Sequence, residues 1–180
     1  MTQICELKNP NMDDYIEFKR YVLSNDFVWY YSDGVDNEST PKYDKKKYTN
    51  IPFYSYSYLW RPMPQSKYPT EPSNYNALKV SRLIENVLNY NNITINCFLR
   101  IAVNAVHPQP YSKIVSSVPH FDHEFPHKNI IIYLTGAGGK TFVGDVNFDP
   151  KEDNVFLFEG EHYMQTPQEK RRVVLVSTFI

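Results

Sequence analysis

Between Ile93 and Val103 the chain changes character at nearly every residue. Ile93, Ile95, Cys97, Leu99, Ile101 and Val103 form one apolar series, while Thr94, Asn96, Phe98, Arg100 and Asn104 alternate with them. A repeat of two is the period of a β-strand. From there to the C-terminus every ordered stretch reads the same way: 129–135 (NIIIYLT), 140–143, 154–158 and 171–180 are rich in Val, Ile and Phe. They are separated by turns that hold Gly136, Gly138, Gly139, Gly144, Pro150 and Gly160. A run of strands this long must close on itself or stack as two sheets to protect its edges, so the second half predicts an antiparallel barrel or sandwich.

The first half carries the helices. Asn11 is read as an N-cap, followed by Asp13 and Asp14 in a first turn and by Tyr15, Ile16, Phe18, Tyr21 and Val22 at helical spacing, ending near Ser24. A second helix is predicted over about 74–89, with Ala77, Val80, Leu83, Ile84, Val87 and Leu88 on one face. Its apolar stripe is a packing face against a sheet. Between the helices, 27–31 (FVWYY) and 51–60 read as strands, 32–50 as an exposed loop, and Pro62, Pro64, Pro69 and Pro72 interrupt regular structure. Helices first and strands afterwards give a mainly β, α+β chain, expected to be one domain over 1–180 with a supporting region of about 1–92 and a β core of about 93–180.

Composition narrows the function classes. With 180 residues the core needs no metal or disulfide to hold it, so a metal would serve chemistry. Nineteen basic and 20 acidic residues are scattered to a net charge of −1, which offers neither nucleic acid nor an anionic membrane a reason to bind. The run Lys45-Lys46-Lys47 is expected in a solvated loop. Cys5 and Cys97 are too few for a disulfide framework or a thiolate zinc site. The N-terminus lacks a signal-peptide layout and no apolar run reaches membrane length, so a cytoplasmic, soluble protein is expected.

Two metal motifs overlap in HFDHEFPH, His120 to His127. His123-Glu124-Phe125-Pro126-His127 matches the HExxH of zinc peptidases, and His120-Phe121-Asp122 matches the HxD of a non-haem iron site. HExxH works only on a helix, where residues i and i+4 face one ion. Pro126 lies inside that turn, at a cost of ~3 kcal/mol in a helix interior, and a β-branched run follows at once. HxD suits a strand, where residues i and i+2 share a face. A facial triad then needs one more histidine from a distant strand. His107 stands between prolines in a loop, whereas His162 follows the apolar strand 154–158 after a short turn and is the stronger candidate. His123 and His127 are left in a loop beside the metal strand. Ten residues after His162, Arg171-Arg172 opens the apolar strand VVLVSTFI. Period two allows only one of the two to point inward, where a guanidinium fork suits a carboxylate.

Taken in order, His120-x-Asp122, Tyr133-Leu134, Gly138-Gly139-Lys140-Thr141, His162, Pro167 and Arg172 resemble the iron(II)- and 2-oxoglutarate-dependent dioxygenases, in particular their prolyl-hydroxylase-like branch. The resemblance covers about 93–180. It implies a double-stranded β-helix, or jelly roll, buttressed by the two helices, with Fe(II) held by His120, Asp122 and His162. It also implies that Arg172 binds the distal carboxylate of 2-oxoglutarate and that Tyr133 donates its hydroxyl to the same group. The family's Asn is here Thr135, and the serine many relatives carry two residues after the arginine is here Val174. The implied reaction consumes O2 and 2-oxoglutarate, releases succinate and CO2, and hydroxylates a peptidyl proline or a small molecule; ascorbate is the reductant that would rescue oxidised iron. The alternative is a jelly-roll binding protein that has lost this chemistry.

Overall fold

The structure is a computed structural model that describes residues 4–34, 43–60, 76–109 and 114–180. Its elements run β1 (Ile4–Leu7), α1 (Asp13–Leu23), β2 (Tyr30–Ser32), β3 (Tyr48–Thr49), β4 (Phe53–Leu59), α2 (Ala77–Tyr90), β5 (Phe98–Val106), β6 (Ser116–Ser117), β7 (Lys128–Tyr133), β8 (Thr141–Val143), β9 (Val146–Phe148), β10 (Val155–Phe158), β11 (His162–Met164) and β12 (Arg172–Phe179). The chain is mainly β with two helices among the described residues.

Seven strands form one antiparallel sheet in the order β1-β10-β7-β12-β5-β4-β2, and a smaller sheet runs β11-β8-β9. Beside β11, the parallel pair β3–β6 is joined on by the bridge Ser116 to Gln165, and His120, after β6, bridges His162. From β5 onward the chain crosses back and forth between these two layers, the winding of a jelly roll.

The large sheet is buried on both faces, which is why β7 reads as an unbroken apolar run rather than an alternating one. Ile130 and Ile132 point to one core with Ile101, Val103, Ala105, Val173, Leu175 and the buried stripe of α2. Ile131 and Tyr133 point to a second core between the sheets, with Val143, Phe156, Phe158 and Val174. All six stripe residues predicted for α2 are buried. The helix stops in a Schellman motif: Asn92 takes φ 57°, its N–H bonds Asn89 O at 3.0 Å, and the Ile93 N–H reaches back to Leu88 O at 3.0 Å.

That turn explains why β5 begins at Phe98 and not at Ile93. Residues 93–97 close the helix and then tie to the C-terminus, with Asn96 N and Cys97 N both bonding Ile180 O at 2.7 and 3.1 Å. Cys97 is exposed as a result. At α1 the cap position falls on Met12, and Asn11 is in the left-handed region at φ 50° without capping the helix. The aromatic run 27–31 is only partly a strand: Phe27 is buried against Trp29 and Tyr56 at ring separations of 4.7 and 5.5 Å, and pairing starts at Tyr30. Within the predicted loop 32–50, β3 pairs with β6 and Lys45 to Lys47 lie exposed in a turn, while 35–42 is outside the described residues. The prolines at 62, 64, 69 and 72 also lie outside them. Among the described residues no helix is long and apolar enough to cross a membrane.

Candidate active site

Backbone pairing brings the two histidines together first. His120 and His162 stand opposite each other in an antiparallel bridge, His120 N to His162 O at 3.1 Å and His162 N to His120 O at 3.0 Å, with ring centroids 4.6 Å apart. Each ring is oriented in the same way. His120 Nδ1 lies 3.1 Å from Val118 O and His162 Nδ1 lies 3.2 Å from Gly160 O, so each Nδ1–H donates to a carbonyl two residues upstream. This tautomer leaves the Nε2 lone pairs free, the state a metal requires. Burial, helped by the neighbouring His120 and opposed by Asp122, pushes the His162 imidazole down to about 4, so the ring is neutral at physiological pH.

Asp122 joins them from the loop after His120. The segment 121–127 is irregular rather than a strand, contrary to the i, i+2 expectation, and the HxD pair is brought inward by long-range contacts. The carboxylate is buried. Its Oδ1 accepts from Arg100 Nη1 at 3.0 Å, and its Oδ2 faces His162 Nε2 at 3.5 Å. Two donors about 2.1 Å from one ion and at right angles stand about 3 Å apart. The 3.5 Å gap is therefore close to a ligand separation, although among the described residues no three His, Cys, Asp or Glu groups are already disposed as a finished metal site.

Nor is the HExxH reading supported. His123, Glu124 and His127 are not on a helix, Glu124 is exposed, and the histidines point to other partners: His123 Nε2 to Thr178 Oγ1 at 2.8 Å, His127 Nδ1 to Phe125 O at 2.7 Å. His127 is buried, so the loop placement expected for it holds only for its backbone. His107 is exposed against Tyr54.

Of the two arginines, Arg172 is the inward one, only 5% exposed, while Arg171 lies over Trp29. Arg172 donates from Nη2 to Thr141 Oγ1 at 3.0 Å and to Tyr133 Oη at 3.4 Å, from Nη1 to Met164 Sδ at 2.7 Å, and stacks over the Tyr133 ring. Among the described residues it has no carboxylate partner, and its buried Nε has no partner at all. A desolvated guanidinium held only by neutral groups keeps the capacity to pair with an anion. Tyr133 and Thr141 share a hydrogen bond of 2.5 Å beside it. Thr141 and Met164, cross-strand partners on β8 and β11, are site residues that sequence reasoning did not assign, though Thr141 closes the Gly-Gly-Lys-Thr string. Thr135 ties β7 to β12, accepting from Val173 N and donating to Arg171 O, both at 2.9 Å.

His120, Asp122, His162, Arg100, Thr141 and Arg172 all line one cavity of about 120 Å³, walled by Ile131, Phe158, Val174 and Val176.

Solved structures match this architecture over nearly the whole chain. An oxidoreductase of the 2OG-Fe(II) oxygenase family from Burkholderia pseudomallei matches at a TM-score of 0.60 and 12% identity, covering 99% of this chain and 84% of that one. The fold is that of the 2OG-Fe(II) oxygenases. A prolyl hydroxylase from Trichoplax adhaerens, in complex with a hypoxia inducible factor oxygen degradation domain peptide fragment, matches at a TM-score of 0.58 and 12% identity, covering 98% and 83%. No family model matches the sequence, and no curated protein does. The oxygenase fold is a double-stranded β-helix, as the resemblance implies. In it β5, β12, β7 and β10 form one layer, and the short strands β6, β11, β8 and β9 form the other.

Proposed function

We propose that the chain acts as a single Fe(II)- and 2-oxoglutarate-dependent oxygenase domain that hydroxylates a peptidyl proline or a small molecule. The observation that carries this reading is the presence, in one cavity, of the His120, Asp122 and His162 cluster and a buried arginine with no anionic partner among the described residues. Along β11 the step from His162 to Met164, which touches Arg172, is two residues, or about 6.5 Å of strand. That is the span over which a short dicarboxylic acid would reach from the histidines to the guanidinium.

The donor set fits a divalent iron: two neutral imidazoles through Nε2 and one carboxylate oxygen, Asp122 Oδ2, leaving the opposite positions open. Bound there, iron with 2-oxoglutarate and O2 would supply the oxidising chemistry that yields succinate, CO2 and a hydroxylated product. The chain's own residues orient and shield. Arg172 would take the distal carboxylate bidentately, with Thr141 and Tyr133 adding hydroxyls, and their mutual hydrogen bond fixes both before the acid arrives. Val174, Val176, Ile131 and Phe158 keep water from the reacting centre.

The Trichoplax neighbour, a prolyl hydroxylase in complex with a peptide, makes proline-containing peptides the first substrates to test, with free amino acids next. The test is succinate formation from 2-oxoglutarate under air with Fe(II) and ascorbate, against those two panels. Turnover that needs Fe(II) and is abolished in His162→Ala supports the proposal. Tight 2-oxoglutarate binding with no succinate under any condition would instead make the chain a binding module.

A further inference from the structure

We infer that Arg100 is a positioning residue that decides which oxygen of Asp122 a metal can take. The inference rests on the metal set proposed above.

Asp122 sits in a segment without regular structure, so its own backbone does not set the direction of its carboxylate. The neighbouring strands do. Arg100 on β5 and Thr178 on β12 are directly opposite each other in register, and they grip consecutive residues of that loop. Arg100 Nη1 donates to Asp122 Oδ1 at 3.0 Å, and Thr178 Oγ1 meets His123 Nε2 at 2.8 Å. One register position of the rigid sheet therefore pins the loop at two successive side chains.

The two carboxylate oxygens have different partners as a result. Oδ1 is engaged by the guanidinium, and Oδ2 faces His162 Nε2 at 3.5 Å. A charge-assisted bond to one oxygen leaves a single oxygen for an ion between Asp122 and the histidines. Without it a carboxylate is free to turn and chelate a divalent ion with both oxygens, as carboxylates do in less constrained sites. Chelation would take one of the three open positions, leaving two for 2-oxoglutarate and none for O2. Arg100 thus keeps the open face open from the side of the ligand opposite the metal. A merely neutralising role, an arginine that balances a buried carboxylate, predicts no change in how the carboxylate binds once the metal's own charge is present.

The test uses the full chain and Mn(II), which does not oxidise under the assay. Infrared difference spectra of Mn(II)-loaded minus metal-free protein, with labelled aspartate, report the splitting between the carboxylate stretches: wide for one-oxygen binding, narrow for chelation. Wild type and Thr178→Val are expected to show the wide splitting and Arg100→Met the narrow one. In parallel, calorimetry of Mn(II) binding to Arg100→Met is expected to show an affinity no weaker than wild type, since the second carboxylate oxygen joins the ion. The same wide splitting in Arg100→Met overturns the inference and leaves the proposed function standing. A narrow splitting in wild type also overturns it, whether or not Arg100→Met folds. Absence of Mn(II) binding in wild type overturns both.

Discussion

Replacing Arg172 by methionine separates what the residue does for folding from what it does for ligand binding. Arg172 is 5% exposed and has hydrogen bonds only to neutral groups, with its Nε unpaired. Burying such a charge costs several kcal/mol. Against that stand three hydrogen bonds from the charged donor, worth about 1.5 kcal/mol each, and stacking on Tyr133 at 5.2 Å, worth about 1–2 kcal/mol. The two sides nearly cancel. Methionine fills similar space without the desolvation cost, and Thr141 and Tyr133 stay paired with each other. The ligand-free variant should therefore be as stable as wild type or more stable by up to about 2 kcal/mol, a rise in Tm of up to about 8 °C for a chain of this size. Binding should move the other way. Two charge-assisted bonds to a carboxylate are worth about 1.5–3 kcal/mol each, so 2-oxoglutarate affinity should fall by at least about a hundredfold. Thermal unfolding followed by circular dichroism, with Mn(II) and with or without 2-oxoglutarate, reads both effects at once. At a concentration 100 times its Kd the acid adds about 2.7 kcal/mol to wild type and should add almost nothing to the variant. A ligand-free loss above about 2 kcal/mol, or a ligand shift that survives, would show that Arg172 is a folding residue and not the carboxylate's partner.

Gly139→Ala should cost about 1–3 kcal/mol, because at φ +79° a Cβ would meet Gln165 O at 2.6 Å and Thr166 O at 2.7 Å. It should also weaken 2-oxoglutarate binding, since Thr141 lies two residues on; urea denaturation and calorimetry check the two. Leu175→Ala, at 1% exposure in the helix-side core, should cost about 2–5 kcal/mol by urea denaturation while leaving the 2-oxoglutarate affinity of the folded fraction unchanged. Metal-free protein should lose stability as pH falls from 6.5 towards 4. The folded state holds His162 neutral down to about 4, chiefly by burial, whereas the unfolded chain takes a proton near 6.5. The contribution is thus full above 6.5 and lost below it, by about 3 kcal/mol in all. Denaturation midpoints of His162→Gln across that range should show a shallower slope.

The parts of the fold that could be read from sequence are those where one periodicity dominates over many residues. The stripe Ala77 to Leu88 is a packing face because six apolar positions repeat at helical spacing, and period two along β12 lets only one of Arg171 and Arg172 turn inward, which the structure shows to be Arg172. Short elements lack that signal. β1 has one buried residue in four, and β6 and β11 are two and three residues long, so backbone pairing with distant strands defines them rather than local pattern. Asn11 is an acceptable N-cap by type, yet a left-handed φ moves the helix start past it. His120 and Asp122 were legible as a pair, but the strand expected to carry them is a loop, in which Asp122 turns inward against Arg100, 22 residues upstream and outside any local pattern. The same holds for Met164 and Thr141 beneath Arg172: cross-strand register between β8 and β11 places them, and register is not visible in one sequence.

In the proposed site His120, Asp122 and His162 hold a metal which 2-oxoglutarate reaches with its far end on Arg172. Anaerobic visible absorption of metal-stripped protein, titrated with Fe(II) and then with 2-oxoglutarate, tests it most directly. A weak charge-transfer band should need both additions, be absent in His162→Ala, and require far more 2-oxoglutarate in Arg172→Met. A wild-type protein that gives no band under fully reducing conditions, or a band unchanged in both variants, would contradict it.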